Sequence, residues 1–283
     1  MNIGGNTELI AHIGFPTHTF KSPQIYNPYF VAVGIDAVVV PMSCRAEHFP
    51  NFLRAVFSLT NVRGALVTMP HKQTCAALLD DVSPAVEIAG SCNAVRRTAD
   101  GRLEGDLFDG EGFVRALQRK GCHIEGARAF VNGAGGVGSA IAASLAKAGI
   151  RSLALSDIAR ERADALAMRL AVHYSTLEVT TSLNDPAGHD IVVNATPLGM
   201  QPDDRLPLDV AQIQPGAWVG DVVLMPEMTP FLTAALARGC RVQVGGDMLF
   251  EQIPAYLEYF GLPTTTPEHL RSLAQSGPSG PAT

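Results

Sequence analysis

Apolar and polar positions alternate along this chain in blocks that switch between a period of two and a helical period. In the first hundred residues the pattern predicts a strand near 9–14, a helix after Ser22-Pro23, a strand at 37–41, a helix over 48–59 and a strand at 64–68. A helix is expected beyond Met69-Pro70, ended by Asp80-Asp81, and then two strands flanking Ala99-Asp100-Gly101, a tight hairpin signal. Residues 110–121 read as a linking helix. Strands then follow at 127–132, 152–156, 177–181, 191–194, 217–223 and 241–244 with helices between them, the rhythm of a doubly wound parallel sheet. From Asp247 the pattern is helical again, interrupted at 261–263, and the Gly/Pro/Ser-rich end is expected to be disordered.

Within that rhythm the strand at 127–132 runs straight into Gly133-Ala134-Gly135-Gly136-Val137-Gly138, a G-x-G-x-x-G turn that opens a helix over 139–148. Gly133 allows the tight turn, Gly135 lets backbone approach a pyrophosphate, and Gly138 lets the helix pack closely on the sheet. The helix N-terminus then offers N–H groups and a positive dipole end to the phosphates. Glycine turns alone also fit simple packing bends, but here strand, turn, helix and a second strand ending in Asp157 occur in order. A carboxylate at Asp157 can accept hydrogen bonds from ribose hydroxyls and repel a 2′-phosphate, which favours NAD. Arg160 and Arg162 follow closely and keep NADP open.

Composition narrows the class. The 283 residues are 47% hydrophobic, enough for two cores, and the net charge of −6 without a basic block speaks against nucleic acid or an anionic membrane as partner. Five cysteines lack a C-x-x-C pair, so neither a disulfide framework nor a metal site is expected, and the histidines show no ligand spacing. No secretory leader and no apolar stretch of membrane-spanning length is visible, so a cytoplasmic protein, monomer or homodimer, is expected.

The segments GFPTHTFKSP, GALVTMPHK, AGSCNAV, GDLFDG, NATPLGM, GDVVLMP and GGDMLFEQ occur in that order between Gly14 and Gln252. Together they resemble the shikimate/quinate dehydrogenase family over nearly the whole chain. The resemblance implies an α/β protein with a substrate-binding domain at 1–108, completed by C-terminal helices at 247–273, a Rossmann-type dinucleotide domain at 109–246, and a flexible tail at 274–283. It implies that Lys72 and Asp109 are the catalytic pair. Thr68, Asn93 and Gln252 match residues that hold ring hydroxyls, and Ser22 matches one of two hydroxyl residues that hold a carboxylate. Thr196, Val222 and Gly245 match positions beside the nicotinamide.

The chemistry needs such groups. Hydride transfer from a ring alcohol leaves a hydroxyl proton to be moved by a positioned acid or base, the role implied for Lys72. A lysine near its usual pKa of about 10.4 is a poor base at neutral pH, so burial must lower it while Asp109 fixes its place. Three departures affect the expected pocket: Phe20 replaces the first hydroxyl residue, Leu224 stands where a tyrosine is usual, and Leu107-Phe108 replace a polar pair. Losing one hydrogen bond to a charged carboxylate costs about 1.5–3 kcal/mol, enough to change the preferred acid. Thr17 or Thr19 substitutes if the loop shifts. The expected function is therefore hydride transfer between NAD or NADP and a small hydroxy acid, shikimate, quinate or a close analogue. A non-catalytic sensor of the same fold is the rival.

Overall fold

The computed structural model describes residues 3–181 and 184–276. Two compact units divide the chain. The first consists of the chain up to Val86, Gly90–Leu107 and the chain from Ile253 onward; the second of Glu87–Ala89 and Phe108–Gln252.

The first unit holds β1 (Glu8–Gly14), α1 (Ser22–Val33), β2 (Ala37–Ser43), α2 (Phe49–Val56), β3 (Val62–Val67), α3 (Lys72–Ala76), β4 (Asp81–Val82), the start of α4 (Pro84–Ala89), β5 (Ala94–Arg97) and β6 (Leu103–Asp106). Its sheet has the order β2-β1-β3-β5-β6-β4. β1 runs parallel to β2 and β3, whereas β5 is antiparallel to both β3 and β6. The hairpin expected around Gly101 is present: Thr98 N–H donates to Arg102 (2.9 Å), and Gly101 has φ +88°. Three details differ from the sequence reading. α2 ends at Val56, where the Ser58 hydroxyl donates to the Ala55 carbonyl (2.6 Å) and competes with helical continuation. α3 stops at Ala76, because Asp80 N–H donates to Leu103 (2.9 Å) and draws the chain into β4. The helix α4 was not foreseen, although Ser83, accepting from Val86 N–H, and Pro84 form a cap and a first helical position.

In the second unit α5 (Asp109–Arg119) leads to β7 (Arg128–Asn132), α6 (Gly136–Lys147), β8 (Ser152–Ser156), α7 (Arg160–His173), β9 (Glu178–Thr181), β10 (Ile191–Asn194), β11 (Trp218–Asp221), α8 (Pro230–Ala237), β12 (Arg241–Gln243) and the first two turns of α9 (Gly245–Tyr259). Every strand pair here is parallel, in the order β12-β11-β10-β7-β8-β9. Counted from β7 this is the doubly wound order 3-2-1-4-5-6, whose direction reverses between β7 and β10. β10 is buried throughout, as a central strand covered on both faces must be. Phe130, Val192, Val219 and Phe231 form part of the core on one face.

The C-terminal return to the first unit begins at Ile253, within α9, six residues later than the sequence pattern suggested. Arg96 explains much of its docking. Its guanidinium lies over the Tyr259 ring (4.3 Å), donates to the Tyr259 carbonyl (2.7 Å) and pairs with Glu104, whose own carbonyl accepts from the Tyr259 hydroxyl (2.8 Å). The final helix α10 (Pro267–Ser276) packs on α1 and extends into the stretch expected as tail; the rest of that stretch lies outside the described residues.

Candidate active site

In the second unit the glycine turn sits at the point where the strand order reverses, which is where open α/β sheets bind ligands. Gly133 has φ +104°, and a Cβ there would lie 2.8 Å from the Ala195 carbonyl; one on Gly138 would collide with the Gly133 carbonyl oxygen. Nothing lies within 4 Å of a Cβ placed on Gly135 or Gly136. Two glycines are therefore packed tight while the two facing outward leave room. Gly135 is the N-cap of α6, so the first-turn N–H groups of Gly136, Val137 and Gly138, which no helical carbonyl reaches, lie beside that open side. This helix begins three residues earlier than the pattern suggested. Asp157 is fixed at the end of β8 by N–H donors from Ala134 (2.7 Å) and Ala159 (2.9 Å), with carboxylate lone pairs left for further donors. These residues fit a dinucleotide: an open, donor-rich turn for a pyrophosphate and a held carboxylate for ribose hydroxyls.

Thr196 and Val222 follow β10 and β11, and a buried network holds both loops. Asn194 Oδ1 accepts from the Thr196 N–H (3.1 Å) and hydroxyl (2.7 Å), while its Nδ2 donates to the Leu198 carbonyl (3.0 Å) and Asp221 (3.1 Å). Asp221 also accepts from Val223 N–H (3.0 Å) and the Thr229 hydroxyl (2.8 Å). Burial raises the Asp221 carboxyl above its usual range, and these three donors partly offset that. Gly245 must lack a side chain, since a Cβ would lie 2.5 Å from the Val223 carbonyl. Asn194 and Asp221 stood inside quoted motifs, but no role was read from them; their clue was an amide and a carboxylate ending adjacent apolar strands.

Asp109 is the first residue of α5 and is 8% exposed. The cap position belongs to Phe108, so Asp109 is not an N-cap, and its charge favours the helix N-terminus as a first-turn acid. Gly112, one turn on, lets α9 approach: a Cβ there would lie 2.6 Å from Gln252 Cγ. The structure thus brings buried Gln252 onto the helix that Asp109 begins. An Arg119–Glu251 pair and a Lys120–Asp247 pair (2.6 Å) tie the same helices together.

In the first unit, Phe20, Ser22, Thr68, Lys72 and Asn93 belong to the segments leaving the C-terminal ends of β1 and β3 and entering β5. Backbone hydrogen bonds join these segments: Thr68 N–H to Ile13 (2.9 Å), Phe15 N–H to Met69 (3.0 Å), Cys92 N–H to Lys72 (2.9 Å) and Val67 N–H to Asn93 (2.8 Å). Asn93 is buried, while Ser22, Thr68 and Lys72 are half-buried. His71, next to Lys72, was passed over in the sequence. It is 1% exposed, its ring stacks on Phe49 (4.2 Å, 4°), and its Nε2 bonds to the Cys44 carbonyl (2.8 Å), which anchors the turn that starts α3. Of the apolar departures, Leu107 and Phe108 are core residues, Phe20 is half-buried and Leu224 is exposed on the loop after β11. Thr19 is exposed, and Phe20 N–H donates to Thr17 (3.0 Å) in a closed turn, so this loop keeps Phe20 in place. The five cysteines are free thiols, and no group of metal-ligating residues occurs among the described residues.

A reversal-point glycine turn, a held acidic strand end and the 3-2-1-4-5-6 order define a dinucleotide-binding α/β protein. Residues 12–95 match the profile of the shikimate dehydrogenase substrate binding domain. A shikimate dehydrogenase (NADP(+)) of Rubrobacter xylanophilus is 35% identical over 97% of this chain and 98% of its own length. Among solved structures, shikimate 5-dehydrogenase from Listeria monocytogenes, in complex with shikimate and NAD, is 27% identical with a TM-score of 0.89, covering 96% of this chain and 98% of that one. Quinate dehydrogenase from Corynebacterium glutamicum, in complex with NAD, is 30% identical with a TM-score of 0.83 over 96% and 99%. The chain belongs to the shikimate/quinate dehydrogenase family.

Proposed function

We propose that this protein is an NAD(P)-dependent dehydrogenase that moves a hydride between the nicotinamide and the ring hydroxyl or ketone of shikimate, 3-dehydroshikimate, or a close analogue such as quinate. The observation that carries this reading is full-length similarity to a shikimate dehydrogenase in a chain that keeps Lys72, Asp109, Thr68, Asn93 and Gln252. The first unit binds substrate and the second binds dinucleotide. When bound, the nicotinamide accepts or returns the hydride. Lys72 Nζ takes the proton from the ring hydroxyl on oxidation and returns it on reduction, with Asp109 as the second member of the proposed catalytic pair. Thr68, Asn93 and Gln252 hold ring hydroxyls, Ser22 holds the acidic substituent, and Phe20 and Leu224 replace polar contacts with apolar ones. The turn from Gly133 to Gly138 receives the pyrophosphate, with Thr196, Val222 and Gly245 beside the nicotinamide.

NAD is the preferred cofactor in this reading, although the Rubrobacter relative is named for NADP(+). Asp157 supports it, because its held carboxylate would face a 2′-phosphate with like charge. Arg160 lies 3.7 Å from Asp164, one turn along α7, a pairing that competes with any swing toward a phosphate. Five buried free thiols suit a reducing, cytoplasmic setting, and no helix among the described residues is long and apolar enough to cross a membrane.

The test is a nicotinamide absorbance assay with NAD or NADP against shikimate and quinate. Turnover is expected, and Lys72→Ala should lower kcat by about 100- to 10,000-fold while cofactor affinity stays within about twofold. Tight binding of cofactor and ring acid without turnover would replace this reading with that of a sensor.

A further inference from the structure

His12 lies in β1, one of the most buried strands of the first unit, yet it is a polar residue at 7% exposure. Its Nδ1 is buried without a hydrogen-bond partner. A buried polar atom left unpaired is costly, so the position is held by something other than hydrogen bonding. The ring of Phe20 stacks on the imidazole face at 4.0 Å and 24°. Gly14, two residues after His12, lies against Phe20 and Thr68: a Cβ there would stand 2.7 Å from Phe20 Cζ and 2.5 Å from Thr68 Cγ2. Phe20 is therefore clamped next to Thr68, at the end of the sheet where the segments carrying Lys72 and Asn93 also lie. Burial keeps the imidazole neutral, so it adds no positive charge beneath Phe20. Lys21 beside it is exposed, where water and salt screen its attraction for an anion. At the N-terminus of α1, Pro23 in the first turn removes one N–H donor. The wall next to Thr68 is aromatic, uncharged and fixed.

We propose that His12 and Phe20 form one aromatic unit that determines specificity, so that this enzyme favours ring alcohols and ketones bearing an uncharged substituent over those bearing a carboxylate. The proposal rests on the dehydrogenase reading above and sharpens its substrate class. An aromatic face desolvates a carboxylate without offering it a donor, whereas an ester or hydroxymethyl group loses much less on the same surface.

The probes are shikimate and its methyl ester, each with NAD and NADP. The wild-type protein is expected to use the ester at least as well as the acid, a measurement that needs no variant. Phe20→Ser, at a half-buried loop position, should move the ratio of kcat/KM about ten- to hundredfold toward the acid, mainly through KM. His12→Ala should move it part of the way by freeing Phe20, and His12→Phe, which keeps a stack, should hold it within about threefold; thermal melts check that each variant folds. A wild-type preference for the acid of tenfold or more, or a folded Phe20→Ser whose ratio is unchanged, would overturn the specificity proposal and leave the dehydrogenase intact. No turnover of either ring alcohol, nor of quinate, would bring down the function and this inference together.

Discussion

The two units show opposite ways of making a binding surface. The second offers backbone: N–H groups at the start of α6, glycines that admit close approach, and loops held from behind by Asn194, Asp221 and Thr229. The first offers side chains projecting from the ends of β1 and β3. Backbone donors are the same whatever the sequence, so such a cradle tolerates only the residues that keep the chain path. A surface made of side chains is rewritten by one substitution. That is why the glycine turn follows its pattern fully, while the first unit carries Phe20 where a hydroxyl residue is usual.

The contrast can be broken most forcefully at Gly138. Gly138→Val would drive a side chain into the Gly133 carbonyl and is expected to cost about 3 kcal/mol or more and to abolish dinucleotide binding. Chemical denaturation and NADH fluorescence titration read both effects. A variant with unchanged stability and affinity would mean that the turn is not shaped by backbone crowding.

A smaller effect tests the first unit. Burial pushes the His12 pKa down to about 4 from its usual 6.5. As pH falls below about 6.5 the unfolded chain gains a proton that the folded ring refuses until about pH 4. Stability is therefore fully present above that window and lost through it, by about 3 kcal/mol. Urea melts at pH 7 and pH 4.5 should show this component in the wild-type protein and its absence in His12→Phe. Parallel pH profiles for the two proteins would show that His12 is not the group refusing the proton.

The smallest effect tests a side chain of the second unit beside its glycine turn. Asp157→Ser removes the carboxylate proposed to face the ribose and should shift the ratio of kcat/KM for NAD over NADP about tenfold toward NADP, a change of about 1.4 kcal/mol. An unchanged ratio would assign cofactor choice to Arg160 and Arg162.

Much of this was readable along the chain because it is written in local chemistry. Apolar periodicity located β1, β7, β8 and β10 within a residue or two, and the glycine spacing located the turn ahead of α6, although the helix itself begins three residues earlier than the pattern suggested. Boundaries shifted where a long-range bond competed with propensity, as when Leu103 drew Asp80 out of the expected helix. The proposed site residues stood out only as an ordered set of short motifs, because single residues such as Lys72 or Asn93 look like ordinary turn residues in isolation.

Sequence by itself determined the alternation of strands and helices, the glycine turn with its acidic strand end, and the replacement of a hydroxyl by Phe20, since each depends on residues adjacent in the chain. Tertiary structure alone decided that β10 lies beside β7, that Asn194 and Asp221 share one buried network, and that His12 in β1 stacks under Phe20. Those pairings join residues that only sheet order and packing bring together, and hydrophobic burial sets that order across distances no local pattern records.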